Sequence, residues 1–197
     1  MKTKTGKLLY CYIAILFFIF QLLAFGIPKV SAATTNHIVI SEIQVSGATA
    51  DDEFIELYNP SNLSIDISTW SIQYRGGAAA TYYQKNFTAG SAIPGFGFFL
   101  IANNGYDGGA SVSADISHGN FSLSGTGGTV FIVNNQTLLT STTDGGASVI
   151  DKAAYGSGAN LIPETTAFTP APTSNGSIER NPGVTNSTKG NGEDSGN

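Results

Sequence analysis

From His37 the chain alternates, with Ile38, Ile40 and Glu42 on one face and Val39, Ser41, Ile43 and Val45 on the other, which is the two-residue period of a β-strand. Residues 53–58 repeat the pattern and stop at Asn59-Pro60-Ser61-Asn62, a turn cluster whose proline ends strand pairing. The spacing predicts a hairpin of these two strands, joined through a loop from Gly47 to Asp52. Further strand-like segments follow at 64–67, 70–75, 81–87, 97–102, 129–133, 137–140, 148–155 and 177–180, many of them separated by glycine-rich turns. No window keeps a 3.6-residue amphipathic pattern beyond two turns. Short strands with frequent turn signals predict an all-β sandwich or barrel with little helix.

The two ends of the chain read differently. Residues 1–7 carry three lysines, Leu8 to Ile27 is almost wholly apolar, and Val30-Ser31-Ala32 places small residues where a signal peptidase cuts. Residues 1–32 therefore read as a secretory signal peptide, with an uncleaved N-terminal membrane anchor as the competing reading because the apolar run is long enough to cross a bilayer. Either way the lysines hold the N-terminus inside, and the expected location is secreted or cell-surface. Cys11, the only cysteine, is followed by the apolar run rather than preceded by it, so it does not sit as a lipoprotein cysteine. The mature chain then has no disulfide, thiol nucleophile or thiolate metal site. Residues 181–197 hold one aliphatic side chain, Val184, and read as a disordered tail or linker.

Composition sharpens this picture. Charged residues make up only 12% of the 197, against roughly 25% in an average soluble protein, whereas 20 Ser, 20 Thr and 15 Asn supply uncharged hydrogen-bonding groups that suit turn-rich β-structure. Removing the four leader lysines leaves five basic residues against fourteen acidic ones, a net charge of −9. With Arg75, Lys85, Lys152, Arg180 and Lys189 scattered along the chain there is no basic stripe, so nucleic acid is not an expected partner.

Several motifs carry a resemblance. His37-Ile-Val-Ile-Ser-Glu-Ile43, Glu53-Phe-Ile-Glu-Leu-Tyr-Asn-Pro60 and Ile67-Ser-Thr-Trp-Ser-Ile72 resemble the opening motifs of the lamin tail domain, found in nuclear lamins and in secreted bacterial proteins. Pro94-Gly-Phe-Gly-Phe-Phe-Leu-Ile101, Val149-Ile-Asp-Lys-Ala-Ala-Tyr-Gly156 and Ser177-Ile-Glu-Arg180 fit as well, so the resemblance runs from about Asn36 to Arg180. It implies an immunoglobulin-like β-sandwich serving as an interaction or accessory module, with no catalytic residue and no cofactor. Family members usually continue to a closing Asp-Phe that this chain lacks, which implies a fragment. The expected function is an exported, non-catalytic interaction or adhesion module with an unidentified protein or cell-surface partner. The alternatives are the N-terminal accessory domain of a longer secreted nuclease- or phosphatase-like enzyme, and a calcium- or glycan-binding domain. Membrane contact is expected only if the N-terminal segment is uncleaved.

Candidate chemistry is sparse. Glu42 and Glu56 stand at matching places in the first two motifs and are expected to face each other across paired strands, as outward or rim carboxylates rather than an acid/base pair. Asp51-Asp52-Glu53 and the loops holding Asn103, Asn104, Asp107, Asp115, Asp144 and Asp151 offer oxygen donors of the kind calcium prefers, but at no known calcium-loop spacing. They read first as turns. His37 and His118, the only histidines, build no zinc site without distant carboxylates. No Gly-x-Ser-x-Gly elbow occurs, and Gly125-Thr-Gly-Gly128 lacks the Lys-Ser/Thr of a phosphate loop. Trp70 is the expected centre of the core, and adjacent Tyr82 and Tyr83 must point to opposite faces, leaving one available to stack on a sugar. The sequons at Asn62, Asn86, Asn120, Asn135, Asn175 and Asn186 matter only in a glycosylating host. No catalytic, cofactor-binding or metal residue is assigned.

Overall fold

The structure, a computed structural model, describes residues 33–34, 36–107, 112–181 and 193–194. The leader expected over residues 1–32 lies outside these, as does most of the expected tail. Thirteen strands run in chain order among the described residues: β1 (Ala33–Thr34), β2 (Val39–Gln44), β3 (Phe54–Tyr58), β4 (Ile65–Asp66), β5 (Ser71–Gly76), β6 (Tyr82–Asn86), β7 (Ala92–Ile93), β8 (Phe98–Ala102), β9 (Ile116–Ser117), β10 (Gly127–Val133), β11 (Val149–Gly156), β12 (Ser177–Glu179) and β13 (Glu193–Asp194). No described residue is helical.

Two sheets form the body. One is five-stranded in the order β12-β2-β3-β8-β9, the other four-stranded in the order β11-β10-β5-β6, with β4-β7 and β1-β13 as two-stranded additions. Their inner faces meet in one apolar core. Ile40, Ile43, Ile55, Leu57 and Ile101 come from the first sheet, and Ile72, Tyr74, Val130, Ile132 and Tyr155 from the second. This is the face-to-face packing of a β-sandwich, each strand alternating core and outer residues. β2 and β3 form the expected antiparallel hairpin.

Strict alternation fails at one point in β2, and the failure matters for the site. The β2–β3 register shifts between Ile40 and Glu42, so Ser41 is an extra residue, a β-bulge. The phase flips across it: Ile38 and Ile40 on one side and Ile43 and Val45 on the other all join the same core, although simple alternation puts the two pairs on opposite faces. Glu42 is thereby turned to the outer face.

Residues 137–140, expected as a strand, form none. Their backbone is claimed by side chains instead: the Leu139 N–H bonds Gln73 Oε1 at 2.8 Å, the Thr137 N–H bonds Asn135 Oδ1 at 2.8 Å, and the Thr140 N–H bonds Thr143 Oγ1 at 2.9 Å. Leu139 drops onto the outer face of the four-stranded sheet, where it joins buried Phe131 and Val133 in a second small core flanked by Tyr82, Val149 and Ile162. Trp70 is not the centre of the main core. It sits in the turn before β5, its N–H bonded to the Ile67 carbonyl and its own carbonyl to the Phe87 N–H, and it packs half-buried against the core's rim. The largest fully buried side chains are Tyr58, Tyr155 and Phe131.

Candidate functional site

The two sheets are joined along one side by a buried charge. Asp151 lies opposite Ile132 in the β10–β11 ladder, on the inner face, and is 1% exposed. A carboxylate there is costly unless its oxygens are bonded. Here Oδ2 accepts the Ile40 N–H from across the sandwich at 2.6 Å, and both oxygens accept from Arg180 Nη2 at 3.0 and 3.1 Å. Arg180 Nε also donates to the Ile40 carbonyl at 3.0 Å, and the Arg180 N–H donates to the Ser41 carbonyl. The N–H of Ile40, the residue before the β2 bulge, is thus satisfied by a side chain of the opposite sheet. The sequence groups Asp151 with the calcium-type loop oxygens and gives Arg180 no role; Asp151 lies instead within β11, its oxygens taken by Arg180 and the Ile40 N–H. The available signal was Asp151 on the same strand face as Ala153 and Tyr155, an otherwise apolar face.

Beside this clamp the sandwich is open. A cavity of about 400 Å³ is lined by Ile40, Ile43, Ala153, Ala154, Phe168 and Ile178 on its apolar side, and by Lys152, Glu164, Thr166, Glu179 and Arg180 among its polar groups. β11 and β12 are the terminal strands of their sheets here. The Ala154 carbonyl and the Gly156 N–H turn away from β10 to bond Phe168. By the two-residue period of a strand, the N–H and carbonyl of Lys152 face the same side, along the cavity, where no described strand pairs with them.

Glu42 and Glu56 are direct register partners, as expected, and Glu179 on β12 is the next residue in the row. Glu56 accepts the Ser41 hydroxyl at 2.6 Å. Burial pushes its carboxyl above the usual carboxylate range against that hydrogen bond, and Glu42 and Glu179 add to the rise. Like charges in adjacent register are unfavourable, and this row lies on the face away from the core.

A second buried pair lies near the opposite end of β3. Glu53 is 1% exposed and accepts the Leu123 N–H at 2.6 Å and Asn103 Nδ2 at 2.7 Å. Burial raises its carboxyl above the usual range. His118, wholly buried, stacks on Phe121 at 4.5 Å, with Nε2 3.9 Å from Glu53 Oε1. Burial draws its imidazole down from the usual 6.5 to about 4, so it is neutral at pH 7. These two residues pin the segment from His118 to Leu123 over the core, which is structural work. His37 lies half-buried just ahead of β2.

The oxygen-rich loops are mostly engaged with their own chain. Asp52 accepts the Thr49 N–H at 2.7 Å within the hairpin, Asp115 accepts the Leu100 N–H at 2.7 Å, and Asp144 accepts the Tyr82 hydroxyl and lies 3.7 Å from Arg75 Nη1. Among the described residues no group of three or more His, Cys, Asp or Glu side chains comes together to hold a metal. Tyr82 and Tyr83 do point to opposite faces. Tyr82 lies over Phe131 with Arg75 above its ring, while Tyr83 is 41% exposed near Phe121.

Two sheets packed on one apolar core, antiparallel except for the β8–β9 pair and with no helix among the described residues, define an all-β protein of the immunoglobulin-like sandwich class. The family model of the lamin tail domain matches residues 31–157, and the chain belongs to that family of immunoglobulin-like, non-enzymatic domains. β12, which carries the run into Arg180, lies beyond the matched residues. No curated protein matches the chain.

Proposed function

We propose that the protein is an exported, non-catalytic interaction module at the cell surface or in the medium, and that it holds an extended segment of a partner polypeptide along β11. Export is supported by the lysine-tipped apolar leader and its small-residue site. An interaction role is supported by the family and by a surface whose buried carboxylates are engaged in joining sheets. The observation that carries the strand-docking reading is the Lys152 edge. It presents a main-chain donor and acceptor to an apolar-floored cavity, the arrangement by which an added strand gains main-chain hydrogen bonds and side-chain pockets together.

The test is photo-crosslinking in the native host from a reactive residue at Thr166, on the cavity wall, with the same residue at Ala50 in the far hairpin as control. A discrete polypeptide adduct from position 166 alone is expected. It should be lost in Lys152→Pro, which removes the edge N–H, and in Thr166→Trp crosslinked instead from Glu179. Equal adducts from both positions, or adducts unchanged in these variants, would sink strand docking. A protein retained in the cytoplasm would sink export.

A further inference from the structure

In an Asn-Gly pair the glycine nitrogen can attack the preceding side-chain Cγ and close a five-membered ring, because glycine has no Cβ to obstruct the approach. Two such pairs lie among the described residues, Asn104-Gly105 between β8 and β9 and Asn175-Gly176 ahead of β12. A third, Asn191-Gly192, lies outside them. The fold treats the two described pairs differently. The Gly176 N–H closes a turn onto the Thr173 carbonyl at 2.9 Å, so the nitrogen that would attack Asn175 is engaged. In the turn of residues 103–106 the closing bond comes from one residue after the glycine, the Tyr106 N–H to the Asn103 carbonyl at 3.1 Å. The Gly105 N–H has no hydrogen-bond partner among the described residues. Asn104 and Gly105 are both exposed, so water reaches the ring that would form.

The turn also holds a buried part of the molecule in place. Asn103 Nδ2 donates to buried Glu53 at 2.7 Å, and Glu53 in turn takes the Leu123 N–H at 2.6 Å. The Asn104 side chain packs on Gly119, where a Cβ would lie 2.7 Å from Asn104 Cγ. Both contacts lead from the turn to segment 118–123, which carries the buried His118.

We propose that Asn104 is a site of spontaneous deamidation and isomerisation, and that its conversion loosens segment 118–123. The Gly105 nitrogen gives its proton to hydroxide and attacks Asn104 Cγ. The N–Cγ bond forms, the Cγ–Nδ2 bond breaks, and ammonia leaves with a proton from water, which regenerates the hydroxide. A second water then opens the ring. Cleavage of the new N–Cγ bond gives aspartate, whereas cleavage between the Asn104 carbonyl carbon and the Gly105 nitrogen gives isoaspartate, with Cβ now in the main chain. Both products carry a carboxylate in place of the amide, and isoaspartate also lengthens the turn by the length of a C–C bond, which shifts Asn103 and the residue at 104 away from Glu53 and Gly119. The inference depends neither on export nor on strand docking at Lys152.

The experiment incubates the full chain in mildly alkaline buffer, folded or in concentrated guanidinium chloride, and follows both sites by peptide mapping with mass spectrometry that separates aspartate from isoaspartate. In the folded protein Asn104 is expected to convert at least about fivefold faster than Asn175, the difference made by having to open one hydrogen bond first. In denaturant the two rates should come together, because both pairs share the same local chemistry. Equal rates in the folded protein, faster loss at Asn175, or a ratio that denaturant leaves unchanged would each overturn the site. The isoaspartate form, separated by ion exchange, is then compared with the unmodified chain by amide hydrogen exchange. Its Leu123 amide is expected to exchange at least about fivefold faster while the amides of β10 do not change. Asn104→Gln, which closes no five-membered ring, should keep Leu123 protected through the same incubation. Equal exchange in the isoaspartate form, or the same loss of protection in Asn104→Gln, would overturn the loosening.

Discussion

Asp151 and Arg180, 29 positions apart, meet at 3.0 and 3.1 Å across the open side of the sandwich, and the same carboxylate takes the Ile40 N–H at 2.6 Å. One buried group thereby ties the four-stranded sheet to the bulged strand of the five-stranded sheet and to the run out of β12. With no cysteine after Cys11, no disulfide is available for this link, and the clamp supplies it instead.

Removing one partner of a buried ion pair leaves the other uncompensated, at a cost of about 3–5 kcal/mol. Arg180→Ala, which strands a carboxylate that is 1% exposed, and Asp151→Ala, which strands the Ile40 N–H, are both expected to destabilise on this scale in urea denaturation. A loss below about 1 kcal/mol in both would show that solvent reaches the clamp.

The buried histidine gives a pH dependence of definite sign. His118 has a pKa of about 4 in the folded chain, below its ordinary 6.5, so the unfolded chain takes up the proton first. The stability it supports is whole above about pH 6.5 and is lost as pH falls towards about 4, at most ~3 kcal/mol. Glu53, raised by burial, works in the opposite direction, because the folded carboxyl accepts its proton at a higher pH than the unfolded one and acidification returns some stability. His118→Phe, which keeps the stack on Phe121, should flatten the melting temperature between pH 6.5 and 4. An unchanged slope would place the lost stability on other groups, such as Asp52 and Asp66, whose carboxyls are held below the usual range by hydrogen bonds.

How much of this was legible in the sequence depends on whether local pattern or tertiary contact decides each residue. The hairpin of β2 and β3 and the opposed Tyr82 and Tyr83 follow from two-residue alternation, and the facing of Glu42 and Glu56 from their matching places in the two motifs. The Ser41 bulge does not, because the residue before it, Ile40, gives its N–H to Asp151 more than a hundred positions away. Residues 137–140 have the composition of a strand but find Gln73 and their own threonine hydroxyls as partners. Trp70 carries the largest side chain, but its place in a turn at the end of the sheet leaves it at the rim. For the candidate site, the Lys152 edge became visible only once β11 was known to be a terminal strand.

The core prediction changes accordingly. Tyr155, wholly buried, should lose about 3–5 kcal/mol on substitution by Ala, whereas half-buried Trp70→Ala should lose less. Thermal denaturation of the two variants orders them, and a larger loss at Trp70 would return it to the centre of the core.

Gly156 tests the end of the β10–β11 ladder. Its φ is +72°, and a Cβ there would lie 2.2 Å from the Thr126 carbonyl oxygen, whereas a Cβ on Gly145 would meet nothing within 4 Å. Gly156→Ala is expected to destabilise by well over about 1 kcal/mol, and Gly145→Ala to be close to neutral. Similar melting temperatures for the two variants would show that the β10–β11 end relaxes freely.

The most direct measurement is residue-resolved amide hydrogen exchange along β11 in the protein alone. Asp151 and Ala153 are partnered with Ile132 and Val130 in the ladder, whereas the Lys152 N–H faces the cavity. A free docking edge predicts that the Lys152 amide exchanges about a hundredfold or more faster than those of Asp151 and Ala153. Equal protection at all three would mean that the edge is already occupied, and it would contradict strand docking at this site.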